Sequence, residues 1–376
     1  MTEPIIPESL KPADGRFGCG PSLVRPDQLA ALSGGPWGHL MGTSHRQAPV
    51  KEMVGHLRAG LLELFGAPAG YEVLIGNGGS TALWDAIALG LVERRSLHGV
   101  AGEFGAKFAA AASRAPFLEE PVTVRAEPGQ RAWPLTDATS ARADVLAWPH
   151  NETSTGVVTP AERPAGSRED QLTVIDATSA AGGIQFRSSQ TDLYYFSPQK
   201  NFGSDGGLWL ALASPAAIER IERIAASGRW IPDSLSLKLA LDNSRANQTL
   251  NTPALATAIM ATVQTDWILA QGGLDWADQR TRTASSILYR WAETRTEARP
   301  FVDEPEARSP VVVTIDFDKE VDAAGLAKVL RRNGILDVEP YRKLGRNQLR
   351  VATFASRDPA DCEALTASIS YLLDRR

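Results

Sequence analysis

Five short apolar runs limit what this chain can fold into. Tyr71–Ile75, Asp144–Trp148, Leu172–Ile175, Tyr194–Ser197 and Leu208–Ala213 all read as strands, and several are continuously apolar rather than alternating. A strand apolar on both faces must be covered on both sides, as in a parallel or mixed sheet between helices. Helical patterns fall between some of these runs. Val50, Met53, Val54, Leu57, Leu61, Leu64 and Phe65 keep helical spacing over Val50–Phe65, and Gly66 can end that helix. Another helix begins at Ala82 and runs to Val92. Strands alternating with helices predict an α/β domain.

The later part of the chain changes character. A helix is expected over Thr257–Ala270, an arginine-rich helix over Thr281–Ala298, and a strand over Val311–Phe317. A helix over Ala323–Asn333, a strand over Gln348–Thr353 and a last helix over Asp358–Leu373 follow. The expected division is a proline-rich N-terminal arm (1–22), a large domain (23–256) and a small α+β domain (257–376), with 257–270 as the linking helix. A length of 376 residues is enough for two domains with sizeable cores.

Bulk properties exclude several classes. Hydrophobic residues make up 43% and charged residues 22%, with a net charge of −5 and no long basic block, so general nucleic-acid binding is not expected. No apolar run approaches the roughly 18 residues that span a bilayer. The N-terminus lacks a basic segment followed by an apolar one, so a cytoplasmic location is expected. Two cysteines, Cys19 and Cys362, provide neither a disulfide framework nor a clustered metal site.

Asp176 ends one apolar run, and Lys200 follows another before Asn-Phe-Gly-Ser-Asp-Gly-Gly207. A carboxylate at one strand end and a lysine after the next suit pyridoxal phosphate: the amine can form an imine with the cofactor aldehyde, and the carboxylate can keep the pyridine nitrogen protonated. Taken singly, such residues are as readily a solvated lysine and a helix cap. Four more segments bear on the choice. Gly76-Asn-Gly-Gly-Ser-Thr81 lies between a strand and a helix, where glycines and free amides can cup a phosphate. It lacks the Gly-Lys-Ser/Thr of a Walker loop, and Thr81 stands where a dinucleotide fingerprint has its third glycine. His150-Asn-Glu-Thr-Ser-Thr-Gly156 offers hydroxyls after a strand. Gly42-Thr-Ser-His-Arg46 and Tyr341-Arg-Lys-Leu-Gly-Arg-Asn-Gln-Leu-Arg350 offer cations for anionic groups.

In this order, from about Phe17 to the C-terminus, the chain resembles the phosphoserine aminotransferases of the class-V, fold-type-I pyridoxal-phosphate transaminases, and most of all their actinobacterial branch. Phe17-Gly-Cys-Gly-Pro21, Ser44-His-Arg46, Gly78-Gly-Ser-Thr81, His150-Asn-Glu-Thr153, Val174-Ile-Asp-Ala-Thr-Ser179, Ser197-Pro-Gln-Lys-Asn-Phe-Gly203 and Leu250-Asn-Thr-Pro253 carry the likeness. It implies a large domain with a mostly parallel, seven-stranded-type sheet flanked by helices, plus the smaller α+β domain. It also implies pyridoxal 5'-phosphate, with Lys200 as its covalent anchor and proton carrier and Asp176 on the ring nitrogen. Ser80, Thr81 and Gln199 would hold the phosphate, joined by Asn251 and Thr252 from the partner of a homodimer. Thr153 would bond the ring's phenolic oxygen, and Phe104 would stack on the ring.

Toward substrate, the likeness gives His45 and Arg46 the distal anion, Arg342 of the partner a supporting role, and Arg350 the α-carboxylate. Lys343 or Arg346 remains an alternative to Arg342, because Tyr341-Arg342 replaces a His-Arg pair and the spacer to Arg350 is longer. Phe104 replaces a tryptophan, and Cys19 a small serine-like residue. The implied reaction moves an amino group between L-glutamate and 3-phosphohydroxypyruvate in serine biosynthesis; use in pyridoxine biosynthesis is left open. An alanine–glyoxylate type of class-V transaminase is the nearest alternative. A nucleotide-binding oxidoreductase using the Gly76–Thr81 turn leaves Asp176 and Lys200 unexplained.

Overall fold

The structure is a computed structural model that describes residues 4–133 and 142–375. Strands β1 (Glu72–Asn77), β2 (Ser96–Val100), β3 (Val122–Arg125), β4 (Val145–Pro149), β7 (Leu172–Asp176), β8 (Leu193–Phe196) and β9 (Leu208–Ala213) form one seven-stranded sheet in the order β1-β9-β8-β7-β4-β2-β3. The intervening β5 (Asn151–Glu152) and β6 (Val157–Val158) pair as a small hairpin. In the large sheet β9 runs antiparallel to β1 and β8, and the other pairings are parallel.

The continuous apolar runs are explained by what each face meets. Ile75, Leu146, Trp148, Ile175, Tyr194, Phe196, Leu210 and Leu212 enter one core. Leu74, Val145, Ala147, Val174, Leu193, Tyr195, Ala211 and Ala213 enter a second core on the opposite face. Alternate residues of a strand point to opposite faces, so a strand buried twice has no polar positions to spare. Helix α2 (Ala48–Leu64) covers the first face. Helices α3 (Ser80–Gly90), α4 (Glu103–Ser113), α5 (Pro215–Ala226) and α6 (Leu237–Arg245) are arranged around the second. Helix α1 (Pro26–Ser33) packs beside α7 (Leu255–Gln271).

The second sheet is antiparallel, in the order β10 (Ala298–Pro300), β11 (Val312–Phe317) and β12 (Gln348–Ala352). Helices α8 (Gly273–Thr294), α9 (Ala323–Arg332) and α10 (Pro359–Leu373) share its core. The arginine-rich helix starts and stops earlier than its sequence pattern suggested. Gly272 and Gly273, at φ +124 and +73, turn the chain between α7 and α8, and Ala298 pairs with Phe317 instead of extending the helix. Two segments pack across the expected division. Ala258, Ile259, Ala261 and Ile268 of α7 belong to the first core of the large sheet. Ile6 and Phe17 of the N-terminal arm belong to the core of the small one. Among the described residues, no helix is long and apolar enough to cross a membrane.

Candidate active site

In an open α/β sheet, ligands gather beyond the carboxyl ends of the strands. Here β1 breaks into Gly78–Ser80, β4 leads into Asn151–Thr153, β7 ends on Asp176, and Gln199–Lys200 lies just past β8. These ends enclose a cavity of about 310 Å³ lined by Ser80, Thr81, Phe104, Thr153, Asp176, Gln199 and Lys200, together with Gly79, Trp84, Asn151 and Thr178. A larger cleft of about 530 Å³ beside Gly66, Gln185 and Asp275 contains none of the candidate cofactor- or substrate-binding residues.

Asp176 is buried and forms no ion pair among the described residues. Its Oδ1 accepts from the Thr178 amide (3.0 Å) and hydroxyl (2.5 Å), and its Oδ2 from Trp84 Nε1 (3.2 Å). Burial pushes the carboxyl above the usual carboxylate range, and these bonds oppose that shift. Lys200 Nζ donates to the Cys19 carbonyl at 2.5 Å. Burial, aided by the nearby Arg350 charge, brings the amine from 10.5 down to about 8, against the opposing pull of Cys19 and Asp176. Ser22 fixes the lysine's backbone, its hydroxyl donating to the Lys200 carbonyl and its amide to that of Gln199 (2.9 Å).

Gly20 makes room for the amine. A Cβ at this position would lie 2.1 Å from Lys200 Nζ and 2.6 Å from its Cε, and φ is +135. Gly20→Ala is therefore expected to displace Nζ and add about 1–3 kcal/mol of backbone strain. Absorbance titration of the apoprotein with pyridoxal phosphate checks this, and a variant that develops the wild-type visible band contradicts it.

The Gly76–Thr81 turn carries β1 into α3. Gly79 precedes α3, no side chain caps the helix, and Gly79, Ser80 and Thr81 line the cavity. Ser80 Oγ shares hydrogen bonds with Thr178 (2.6 Å) and Ser197 (2.9 Å). Thr153 donates to Ser179 at 2.8 Å. Arg350 extends from β12 to the Thr153 carbonyl (3.0 Å), its guanidinium 5.4 Å from the Tyr341 ring centre, and its buried Nε has no partner among the described residues.

Other residues lie apart from the cavity of their own chain. Arg46 bonds Gln248 (2.8 Å) and the Leu250 carbonyl (3.5 Å), and Asn77 bonds the carbonyls of Asn251 (3.3 Å) and Thr252 (3.1 Å), so these residues share one exposed face. His45 is buried beside them with Nε2 unpaired among the described residues; burial and the neighbouring Arg46 lower its pKa. Of the three alternative cations, Lys343 is paired to Glu103 (2.5 Å) and Arg346 to Asp316. Arg342 is exposed and forms no ion pair among the described residues.

The family profile of the class-V aminotransferases matches residues 38–337. The chain belongs to the class-V aminotransferase family. It is 59% identical over 370 residues to a protein of Mycolicibacterium vanbaalenii, covering 98% of each chain. It is 55% identical over 372 residues to the phosphoserine aminotransferase of Rhodococcus jostii, covering 99% of this chain and 98% of that one. Its fold matches a phosphoserine aminotransferase of Cytophaga hutchinsonii with a TM-score of 0.86 at 23% identity, over 95% of this chain and 99% of that one.

As a class-V aminotransferase it is a pyridoxal-phosphate-dependent transaminase, and the cavity fits that cofactor. A buried carboxylate without a counter-charge is costly, and a protonated ring nitrogen beside Asp176 would offset that cost. An uncapped helix end with two hydroxyls suits a phosphate, and the depressed amine of Lys200 suits an aldehyde. Gly20, Ser22, Trp84, Thr178 and Ser179 support this site, and sequence reasoning gave them no role. The Phe17–Pro21 motif was the available signal for Gly20, because a glycine before proline often marks a tight approach.

Proposed function

We propose that this transaminase moves the amino group of L-glutamate to 3-phosphohydroxypyruvate, giving 2-oxoglutarate and O-phospho-L-serine in serine biosynthesis. Arg350 is the observation that carries the reading. It is a cation bonded to the carbonyl of Thr153, a residue that lines the Lys200 cavity, and its buried Nε lacks an acceptor among the described residues. A substrate α-carboxylate supplies one, bound bidentately. Both substrates carry a second anion, a carboxylate in one and a phosphate in the other. His45, Arg46 and Arg342 suit either group, and His45–Arg46 lies on the same face as Asn251 and Thr252. A second copy that presents this face to the cavity would bring Asn251 and Thr252 to the phosphate and His45–Arg46 to the distal anion. The proposed unit is therefore a homodimer with shared sites.

When bound, pyridoxal phosphate supplies the electron sink for charge left at the substrate α-carbon. Asp176 would hold its ring nitrogen, Ser80, Thr81 and Gln199 its phosphate, Thr153 its ring hydroxyl and Phe104 one ring face. Lys200 Nζ takes the α-proton and later returns one, and a pKa near neutrality suits both steps. Arg350 would orient the α-carboxylate and, through it, the α-hydrogen relative to Nζ.

A coupled assay with glutamate and 3-phosphohydroxypyruvate tests the substrates, and absence of turnover by cofactor-loaded protein refutes them. Arg350→Lys keeps the charge and loses the planar fork. It is expected to raise KM for both substrates about tenfold or more, with a smaller change in kcat. An unchanged KM in steady-state kinetics removes Arg350 from the α-carboxylate site.

A further inference from the structure

The first turn of helix α4 carries Phe104 into the cavity wall, yet its N-cap residue, Gly102, provides no side-chain acceptor for the turn's free amides. Another element provides them. The Glu103 amide donates to Ser154 Oγ at 3.0 Å, and the amides of Phe104 and Gly105 each donate to Glu152 Oε2 at 3.1 Å. The Ser154 amide (3.1 Å) and hydroxyl (2.6 Å) complete the Glu152 carboxyl on Oε1. Glu152 is 1% exposed; burial pushes its carboxyl above the usual carboxylate range, and the bonds from Ser154 and the α4 amides oppose that shift. Gly102 admits the contact: a Cβ there would lie 2.4 Å from Ser154 Oγ and 2.6 Å from Glu152 Cγ.

Glu152 is also the neighbour of Thr153, which donates to Ser179 and whose carbonyl accepts from Arg350. One carboxyl thus ties the backbone of the ring-facing aromatic to the turn that bears Thr153 and meets Arg350. We propose that Glu152 is a positioning residue, which sets the spacing between the Phe104 ring and the Thr153 turn and thereby the slot that a flat heteroaromatic ring enters. The proposal rests on the assignment of pyridoxal phosphate to this cavity and is independent of which amino acid is the substrate.

Glu152→Gln tests it. Glutamine keeps the shape, but its amide nitrogen must face amide donors, so part of the acceptor set is lost. The expected results are a cofactor Kd raised about tenfold or more in equilibrium titration of the apoprotein, and a weakened visible circular-dichroism band of the bound cofactor. The apoprotein should still unfold cooperatively. If Glu152 acts through Phe104, the loss of affinity should largely vanish in a Phe104→Ala background, where the cycle reads the coupling directly. A Kd and band unchanged in Glu152→Gln overturn the proposal. So does an equal loss in the Phe104→Ala background, or a loss that only accompanies an unfolded apoprotein. Failure of wild-type apoprotein to bind pyridoxal phosphate would overturn the cofactor assignment instead.

Discussion

Replacing Lys200 by methionine is expected to remove turnover and, in the apoprotein, to raise stability. Both effects come from one buried amine. Its pKa falls from 10.5 to about 8 on folding, with burial as the main cause. The unfolded chain therefore holds this proton more tightly than the folded chain. The penalty is full below pH 8 and fades as pH rises toward 10.5, where the unfolded amine also loses its proton. A shift of this size corresponds to roughly 3 kcal/mol, and losing the bond to the Cys19 carbonyl offsets about 1 kcal/mol. Apo Lys200→Met should thus exceed the wild type by about 2 kcal/mol at pH 7, with the gap closing between pH 8 and 10.5. Thermal unfolding of both apoproteins across that range checks the sign. A variant that is less stable at every pH contradicts the buried, depressed amine. Turnover should fall at least about 1000-fold, since the same group anchors the cofactor and moves the α-proton.

Asp176→Asn should produce the next largest loss. Asparagine fits the same space and can still accept from Trp84 or Thr178, but it cannot keep a ring nitrogen protonated. Removing one preorganised charge from a water-poor site typically lowers kcat 100- to 1000-fold. The variant should still bind cofactor, because the Gly79–Thr81 turn and Lys200 are untouched. Rapid mixing with glutamate isolates the effect: the visible band should form normally and then decay at least about 100-fold more slowly than in the wild type. Decay at the wild-type rate would remove Asp176 from the chemistry. A variant that binds no cofactor would give it a purely architectural role.

The chemistry of this site was more legible in the sequence than its support. Asp176, Lys200 and the Gly76–Thr81 turn stand at strand ends, and strand ends are marked by apolar runs that stop. Those runs were clear because both faces of β4, β7, β8 and β9 are buried. Strands β2 and β3 escaped notice for physical reasons. The former contains His98 and Gly99, and the latter has alternating burial with exposed Thr123 and Arg125. The groups that hold the site work across long sequence separations: Gly20 against Lys200, Trp84 against Asp176, Glu152 against the α4 amides. None of those pairings leaves a local pattern. The choice among Arg342, Lys343 and Arg346 also required structure, because ion pairs to Glu103 and Asp316 engage two of the three. That supports Arg342 as the one of the three that we propose joins His45 and Arg46 at the distal anion.

A single two-step titration tests the central claim. Cofactor-loaded protein, freed of excess pyridoxal phosphate, is mixed with glutamate and then with 3-phosphohydroxypyruvate while the visible spectrum is followed. Glutamate should remove the band with release of 2-oxoglutarate, and 3-phosphohydroxypyruvate should restore it with formation of O-phospho-L-serine. A band that glutamate leaves unchanged, or that glyoxylate restores and 3-phosphohydroxypyruvate does not, would contradict the claim.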